Sequence, residues 1–94
     1  MNAERQTFPL GQVVATPGAL HAFAAAEEHY LSYLMRHAGG DWGAVCPEDA
    51  RANDDAREDG ERLLSAYRLR DGTKLWIITE ADRSSTCILL PEEY

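Results

Sequence analysis

An Asp-Gly dipeptide at residues 71 and 72 separates two segments in which the residue pattern changes to a period of two. This dipeptide between alternating segments is the strongest short-range signal for a β-hairpin, because a two-residue type I′ turn needs positive φ at both positions. We therefore predict paired strands at 63–70 and 73–80. A two-residue turn fixes the register, and it places Tyr67 opposite Trp76 on one face of the hairpin.

Two further short apolar runs extend the predicted sheet. Residues 86–90 form an apolar run that Pro91 ends, which predicts a third strand and an antiparallel β-meander. Residues 12–15, Gln-Val-Val-Ala, form a second run near the N-terminus. This run is a candidate edge strand beside the meander.

The residues before the hairpin predict helices. Thr16 is a favourable N-cap and Pro17 suits the first helical position. An apolar stripe at three- and four-residue steps then continues to Ala38, where two glycines follow. Residues 27–29, Glu-Glu-His, interrupt this stripe, so the helix either kinks or splits there. A second helix is predicted at residues 47–60, with proline at its first position.

These elements predict an α+β fold: two N-terminal helical segments followed by a three-stranded antiparallel meander. The 94 residues suffice for a single domain, and 45% hydrophobic residues are too many for a wholly disordered chain. The polar residues 1–7 are predicted to be disordered. No segment reaches the ~18 apolar residues of a membrane span, and residues 1–6 lack signal-peptide features. We therefore expect a cytoplasmic protein that does not bind a membrane.

The second predicted helix carries most of the net charge. The chain has 16 acidic and 9 basic residues, for a net charge of -7, and the seven acids and two arginines within residues 47–61 contribute -5 of it. The helix has only alanines as apolar residues, so we expect it to be peripheral. Two i,i+4 ion pairs are predicted within it, Arg51 with Asp55 and Arg57 with Glu61.

This acidic helix has two interpretations. It is either a solvated face that maintains solubility, or a surface that docks on a basic groove of another protein. Repulsion between acids four residues apart would be relieved by a basic partner. Direct nucleic-acid binding is disfavoured, because it requires a basic surface. The predicted partner-binding residues on the helix are Asp54, Asp55, Glu58 and Asp59.

The dipeptide Asp82-Arg83 is a second candidate contact site. It lies in the predicted loop between the second and third strands of the meander, and loops on a rigid sheet often carry recognition. The alternative is an ion pair within the loop.

No sequence motif points to catalysis, a cofactor or a metal. His21, His29 and His37 are eight residues apart, so they drift around a helix instead of forming a metal-binding pair. We expect them to be solvent-facing or at helix ends. No nucleophile signature surrounds either cysteine, and no glycine-rich phosphate loop joins a strand to a helix. We therefore predict no enzymatic activity, no cofactor and two free thiols.

Trp42 lies in the predicted Asp41-Trp42-Gly43 turn and has two interpretations. It is either a large side chain that fills the core from a loop, or an exposed contact residue.

Residues 8–20, 36–37, 40–43, 64–67, 75–86 and 89–94 carry a family resemblance. In these segments the chain resembles small uncharacterised bacterial proteins of plasmids and integrative elements, some labelled as related to restriction-modification systems. The chain lacks the AdoMet-binding glycine motif and the Pro-Pro-Tyr/Phe signature of a methyltransferase. Mobile elements encode small acidic proteins that block host nucleases, including anti-CRISPR and anti-restriction proteins. The resemblance implies a role of that kind.

The leading hypothesis is a non-enzymatic acidic interaction protein of a mobile genetic element, which inhibits a host defence nuclease or surveillance complex by binding its basic surface. The first alternative is a homo-oligomeric plasmid-maintenance or regulatory accessory, such as a homodimer that contacts DNA only through a partner. The second alternative is a small-ligand or enzymatic site around Trp42, His37 and Asp82.

Overall fold

In the computed structural model, which describes residues 6–94, the chain forms three α-helices and a four-stranded sheet. The α+β class is confirmed. In chain order the elements are β1 (Gln12–Ala15), α1 (Pro17–Ala26), α2 (Tyr30–Ala38), α3 (Pro47–Asp59), β2 (Leu63–Arg68), β3 (Lys74–Thr79), β4 (Ser85–Leu89) and a final 3-10 turn (Pro91–Glu93).

The sheet has the strand order β1-β4-β3-β2. Strands β2, β3 and β4 form the antiparallel meander. The prediction of a three-stranded sheet is incomplete, because β1 is a fourth strand that runs parallel to β4 and pairs Val13 with Thr86 and Ala15 with Ile88. The sheet is therefore mixed. A four-residue apolar run carries no signal for its partner or its direction, so sequence periodicity identified the strand without placing it.

The predicted hairpin register is wrong by one residue. Tyr67 pairs with Leu75, and the turn contains three residues instead of two. The N–H of Gly72 donates to the Leu69 carbonyl over 2.8 Å, and the N–H of Leu69 donates to the Thr73 carbonyl over 2.8 Å. Gly72 has a φ of 92°, the left-handed conformation that follows a type I turn in a three-residue hairpin loop. Tyr67 and Trp76 consequently lie on opposite faces of the sheet.

The N-terminal helical segment splits at the predicted interruption, so the chain has three helices. Glu27 adopts a left-handed conformation with a φ of 57° and ends α1, and the His29 side chain accepts from the N–H of Leu31 over 3.1 Å to cap α2. Glu28 fixes this break against the sheet. Its carboxylate accepts from the Tyr33 hydroxyl at 2.7 Å and from the N–H of Arg70 at 2.6 Å.

Helices α1 and α2 cover one face of the sheet. The main core lies between them and consists of Ala19, Ala22, Phe23, Ala26, Tyr33, Leu34, Tyr67, Leu69, Leu75, Ile77 and Ile88. On the opposite face the Tyr94 ring packs on Trp76, with 5.6 Å between ring centroids. A second cluster, formed by Phe8, Trp42, Ala56 and Leu63, joins α3 to β2.

Residues 1–7 were predicted to be disordered, and residues 1–5 of that segment lie outside the described part of the chain. Thr7 is fixed, because its N–H and its hydroxyl both donate to the Ala38 carbonyl over 2.8 Å. No helix within residues 6–94 is long and apolar enough to cross a membrane.

Candidate interaction surfaces

The acidic helix α3 is held to the sheet by its inner side. Asn53 and Ala56 are buried there. The Asn53 amide donates to the Leu64 carbonyl over 2.8 Å and accepts from the Leu64 N–H over 3.2 Å. An asparagine side chain thus occupies the hydrogen-bonding position of a neighbouring strand. The outward side of the helix is consequently presented in a fixed orientation.

Three of the four predicted contact acids on α3 are exposed and form no ion pair within the described chain: Asp55, Glu58 and Asp59. The predicted pair Arg51–Asp55 does not form there either. Because these carboxylates share one exposed side of a fixed helix and form no ion pair there, their negative potential is directed into solvent. We call these three carboxylates the acidic surface.

Asp54, the fourth predicted contact acid, has a structural role. Its carboxylate accepts the indole N–H of Trp42 over 2.9 Å and lies 3.6 Å from the guanidinium of Arg57. Arg57 therefore pairs with Asp54 at i,i+3 and not with Glu61 as predicted. The i,i+3 spacing permits this pair, but the sequence does not show that Trp42 holds Asp54 in place.

Arg83 is also used within the molecule. Its guanidinium donates to the carbonyl of Glu61 at 2.7 Å, of Glu80 at 3.1 Å and of Ala56 at 3.0 Å, and it lies 5.6 Å from the Phe8 ring centroid. It thereby satisfies carbonyls at the C-terminal end of α3, where a cation also suits the helix dipole. Arg83 joins the β3–β4 loop to the acidic helix.

Asp82, beside Arg83, does not pair with it. The Asp82 carboxylate accepts from the N–H of Ser84 over 3.0 Å, and the hydrogen bonds from Ser84 lower the pKa of that carboxyl. The side chain remains exposed at the tip of the loop.

Trp42 is buried, with 5% of its surface exposed, so the core interpretation is confirmed. Its ring centroid lies 6.2 Å from that of Phe8 and 5.7 Å from that of His37. His37 lies in the last turn of α2, in agreement with the helix-end alternative, but its side chain is fully buried and does not face solvent. A ligand site built on Trp42 and His37 would therefore need the core to open.

His37 belongs to a buried hydrogen-bonded chain that crosses beneath the sheet. Its Nδ1 lies 2.6 Å from the hydroxyl of Ser65 on β2, and its Nε2 lies 2.8 Å from that of Thr79 on β3. The Thr79 hydroxyl lies 2.7 Å from that of Thr86 on β4, which donates to the Leu10 carbonyl over 2.7 Å. Every buried side-chain polar atom of the described chain has a partner.

The last acceptor fixes the direction of the hydrogen bonds from Leu10 back to the Nε2 atom of His37. Because Thr86 donates to a carbonyl, it accepts from Thr79, and Thr79 in turn accepts from the Nε2–H of His37. Burial, with the charge of Arg83 as a smaller cause, lowers the pKa of His37 to about 4, so the imidazole is neutral at neutral pH. With its proton on Nε2, the Nδ1 atom accepts from the Ser65 hydroxyl.

The β2 edge of the sheet is sealed at Leu64 and Ala66. Besides the bonds from Asn53 to Leu64, the N–H of Ala66 donates to the Trp42 carbonyl over 3.1 Å, and the Ala66 carbonyl accepts from the N–H of Ala44 over 2.6 Å. Gly43 makes this contact feasible. It has a φ of 77°, and a Cβ atom there would collide with the carbonyl oxygen of Ala66.

The β1 edge is open, and sequence reasoning missed its significance. The N–H groups of Gln12 and Thr16 donate to the carbonyls of Ser84 and Ile88 over 3.0 Å. Because backbone groups alternate in direction along a strand, the N–H and C=O groups of Val13 and Ala15 point outward. No other described segment pairs with them. Four large apolar side chains are exposed near this edge: Val13, Val14, Leu20 and Leu31.

These four residues line a cleft of about 350 Å³ between β1 and the two N-terminal helices. The other lining residues are Ala15, Tyr30, Leu34 and Ile88, so no charged residue lines it. We call the four side chains and this cleft the apolar surface. The signal was present in the sequence as two adjacent valines in an uncharged edge strand, which lacks the charges that usually protect such an edge.

No group of three or more His, Cys, Asp or Glu residues in the described chain is arranged to hold a metal ion. Both cysteines are free thiols. No family model matches the sequence, and no curated protein or solved structure matches it significantly. The family resemblance and the role that it implies therefore stay predictions.

Proposed function

We propose that the protein is a non-enzymatic interaction protein that binds a basic protein surface through the acidic surface of α3. The observation that carries this proposal is the arrangement of Asp55, Glu58 and Asp59: they are exposed, without ion pairs in the described chain, and borne on a helix fixed by Asn53. A helix that is already fixed in orientation loses little backbone freedom on binding, and its like charges attract a basic partner at long range.

The partner class that we propose is a host defence nuclease or surveillance complex, whose nucleic-acid groove is basic. The protein would occupy that groove in place of nucleic acid, as expected for an inhibitor carried by a mobile element. The net charge of -7 suits such mimicry. Asp82 is a secondary contact in this proposal, while Asp54 and Arg83 support the site from within.

The test is affinity purification of the tagged protein from its host, followed by binding measurements with the purified partner over a salt series. The test variant is D55N/E58Q/D59N. The matched control is E27Q/D71N/E92Q, which removes the same charge from exposed positions elsewhere. The D71N change keeps the side-chain oxygen that accepts from the N–H of Thr73 in the hairpin turn.

We expect a nuclease or surveillance complex that dissociates as salt rises, at least tenfold weaker binding by the test variant, and unchanged binding by the control. Equal binding by both variants, or binding that is insensitive to salt, would contradict the proposal. Recovery of the protein alone would favour the homo-oligomeric alternative, and the acidic surface would then only maintain solubility.

A further inference from the structure

We infer that the apolar surface is the interface of a homodimer, in which β1 of one copy pairs antiparallel with β1 of a second copy. The two four-stranded sheets would form one continuous eight-stranded sheet. This inference is independent of the proposed function, because β1 and α3 lie at opposite edges of the sheet.

Backbone geometry selects one register for this pairing. Val13 and Ala15 turn their N–H and C=O groups outward, so in an antiparallel pair each Val13 can lie opposite Ala15 of the second copy. In each of the two Val13–Ala15 pairs, the N–H of either residue donates to the carbonyl of the other. The two pairs give four hydrogen bonds around the two-fold axis. The register with Val13 opposite Val13 forms only two, because Gly11 has a φ of 65° and leaves the extended conformation.

The side chains are self-complementary in this arrangement. A two-fold axis perpendicular to the sheet keeps the helices of both copies on the same face, so Leu20 and Leu31 of each copy approach those of the second. These residues are 50% and 51% exposed in the single chain. On the opposite face, Val14 lies against Val14 at the axis. The pairing therefore covers the apolar side chains on both faces.

The charge distribution favours a second copy over a charged partner at this edge. None of the residues lining the cleft is charged, whereas most of the net charge lies on α3 beside β2. Dimerisation through β1 therefore places the two acidic helices at the far ends of the joined sheet, where their mutual repulsion is weakest. A charged protein strand would find no complementary group in this cleft.

The expected dimer is weak. Its contact consists of one short strand pair with a few flanking side chains, which is smaller than the ~800 Å² per partner of a standard interface. We therefore expect a dimer that dissociates on dilution.

The first test is sedimentation velocity of the full chain over a concentration series. We expect a monomer–dimer equilibrium for the wild type. The V14K variant places two ammonium groups against each other at the axis, so it should weaken association at least tenfold. The matched control A25K adds the same charge on an exposed position of α1 outside the cleft and should associate like the wild type.

The second test is disulfide trapping in a C46S/C87S background, which removes both native thiols. In the proposed register the two Val14 residues form a non-hydrogen-bonded pair with Cα atoms ~4.5 Å apart, within disulfide range. V14C should therefore cross-link readily under mild oxidation, and V13C should not. A monomeric wild type at all concentrations, a dimer that V14K leaves intact, or equal cross-linking of V13C and V14C would overturn the inference.

Discussion

At the β2 edge of the sheet the outward backbone groups of Leu64 and Ala66 are bonded to Asn53 and to residues 42–44, whereas at the β1 edge those of Val13 and Ala15 face no described partner. The sealed edge uses side chains and a loop in place of a fifth strand. The open edge carries apolar side chains and no charge. The β2 edge is therefore completed within the fold, whereas the β1 edge is available for association.

The sealed edge also holds the acidic helix in the fold. Helix α3 has few apolar residues, so hydrophobic burial alone holds it weakly. Asn53, Arg83 and the bond from Trp42 to Asp54 attach it to the sealed edge by hydrogen bonds. The acidic surface thus depends on the β2 edge for its orientation.

Replacing Trp42 with alanine should have the largest effect on the sealed edge. The variant removes a buried ring beside Phe8 and leaves the Asp54 carboxylate without the indole N–H, so we expect a loss of about 3–5 kcal/mol in the free energy of unfolding. Urea denaturation measures this loss. Trp42→Phe keeps a ring in the core and should lose less. A loss below about 1 kcal/mol for W42A would show that the edge does not depend on Trp42.

Acid should destabilise the protein through His37, which lies beneath the sheet between the two edges. The unfolded chain binds a proton near the ordinary pKa of 6.5, but the folded chain binds it only near pH 4. Stability is therefore complete above pH 6.5 and falls as the pH drops towards 4, by about 3 kcal/mol in total.

Thermal denaturation between pH 7 and pH 5 isolates this effect. The carboxyls of Asp41 and Glu28, whose pKa values lie below their ordinary range, contribute to acid destabilisation at lower pH. His37→Gln cannot titrate, so its stability should change little over the same interval. An equal pH dependence in the wild type and this variant would exclude His37 as the source.

Replacing Asn53 with alanine should open part of the sealed edge. Leu64 would lose both of its hydrogen bonds to the asparagine side chain, and we expect a loss of about 2 kcal/mol in the free energy of unfolding. Asp55→Ala, an exposed change on the same helix, is the control and should stay within about 0.5 kcal/mol of the wild type. Equal losses for the two variants would refute the role of Asn53.

The smallest effect should come from the open edge. Val14→Thr keeps a β-branched residue in a strand position that is 43% exposed. At high dilution, where the chain is monomeric, we expect a stability change within about 0.5 kcal/mol. Denaturation of the dilute protein measures it. A loss of more than about 1 kcal/mol would mean that Val14 is covered within the single chain.

The local features of the fold could be predicted from the sequence, because each depends on residues close together in the chain. The Thr16-Pro17 start of α1, the interruption at residues 27–29 and the meander are examples. The hairpin register was missed because Asp71-Gly72 also fits a three-residue loop with Gly72 as the left-handed residue. A shift of one residue then exchanged the faces of the β2 side chains.

The roles of Asp54, Arg83 and His37 could not be predicted, because their partners are distant in sequence. Arg83 donates to the backbone carbonyls of Ala56 and Glu61. Because every residue has such a carbonyl, the sequence does not show which ones accept. The open edge could have been recognised from its valines, but only once β1 was known to lie outside β4. Of the candidate site, sequence alone located the exposed acids Asp55, Glu58 and Asp59 on their helix.

The parallel pairing of β1 with β4 has a consequence for the order in which the chain folds. Gln12 pairs with Ser85, 73 positions later in the sequence. During translation β1 is therefore made long before its neighbour, and at ~5–20 residues per second it waits several seconds with both of its edges unpaired. Contacts so distant in sequence also form slowly. Chaperones that bind extended apolar segments would meet residues 12–15 first, in a nascent chain whose last strand is still unmade.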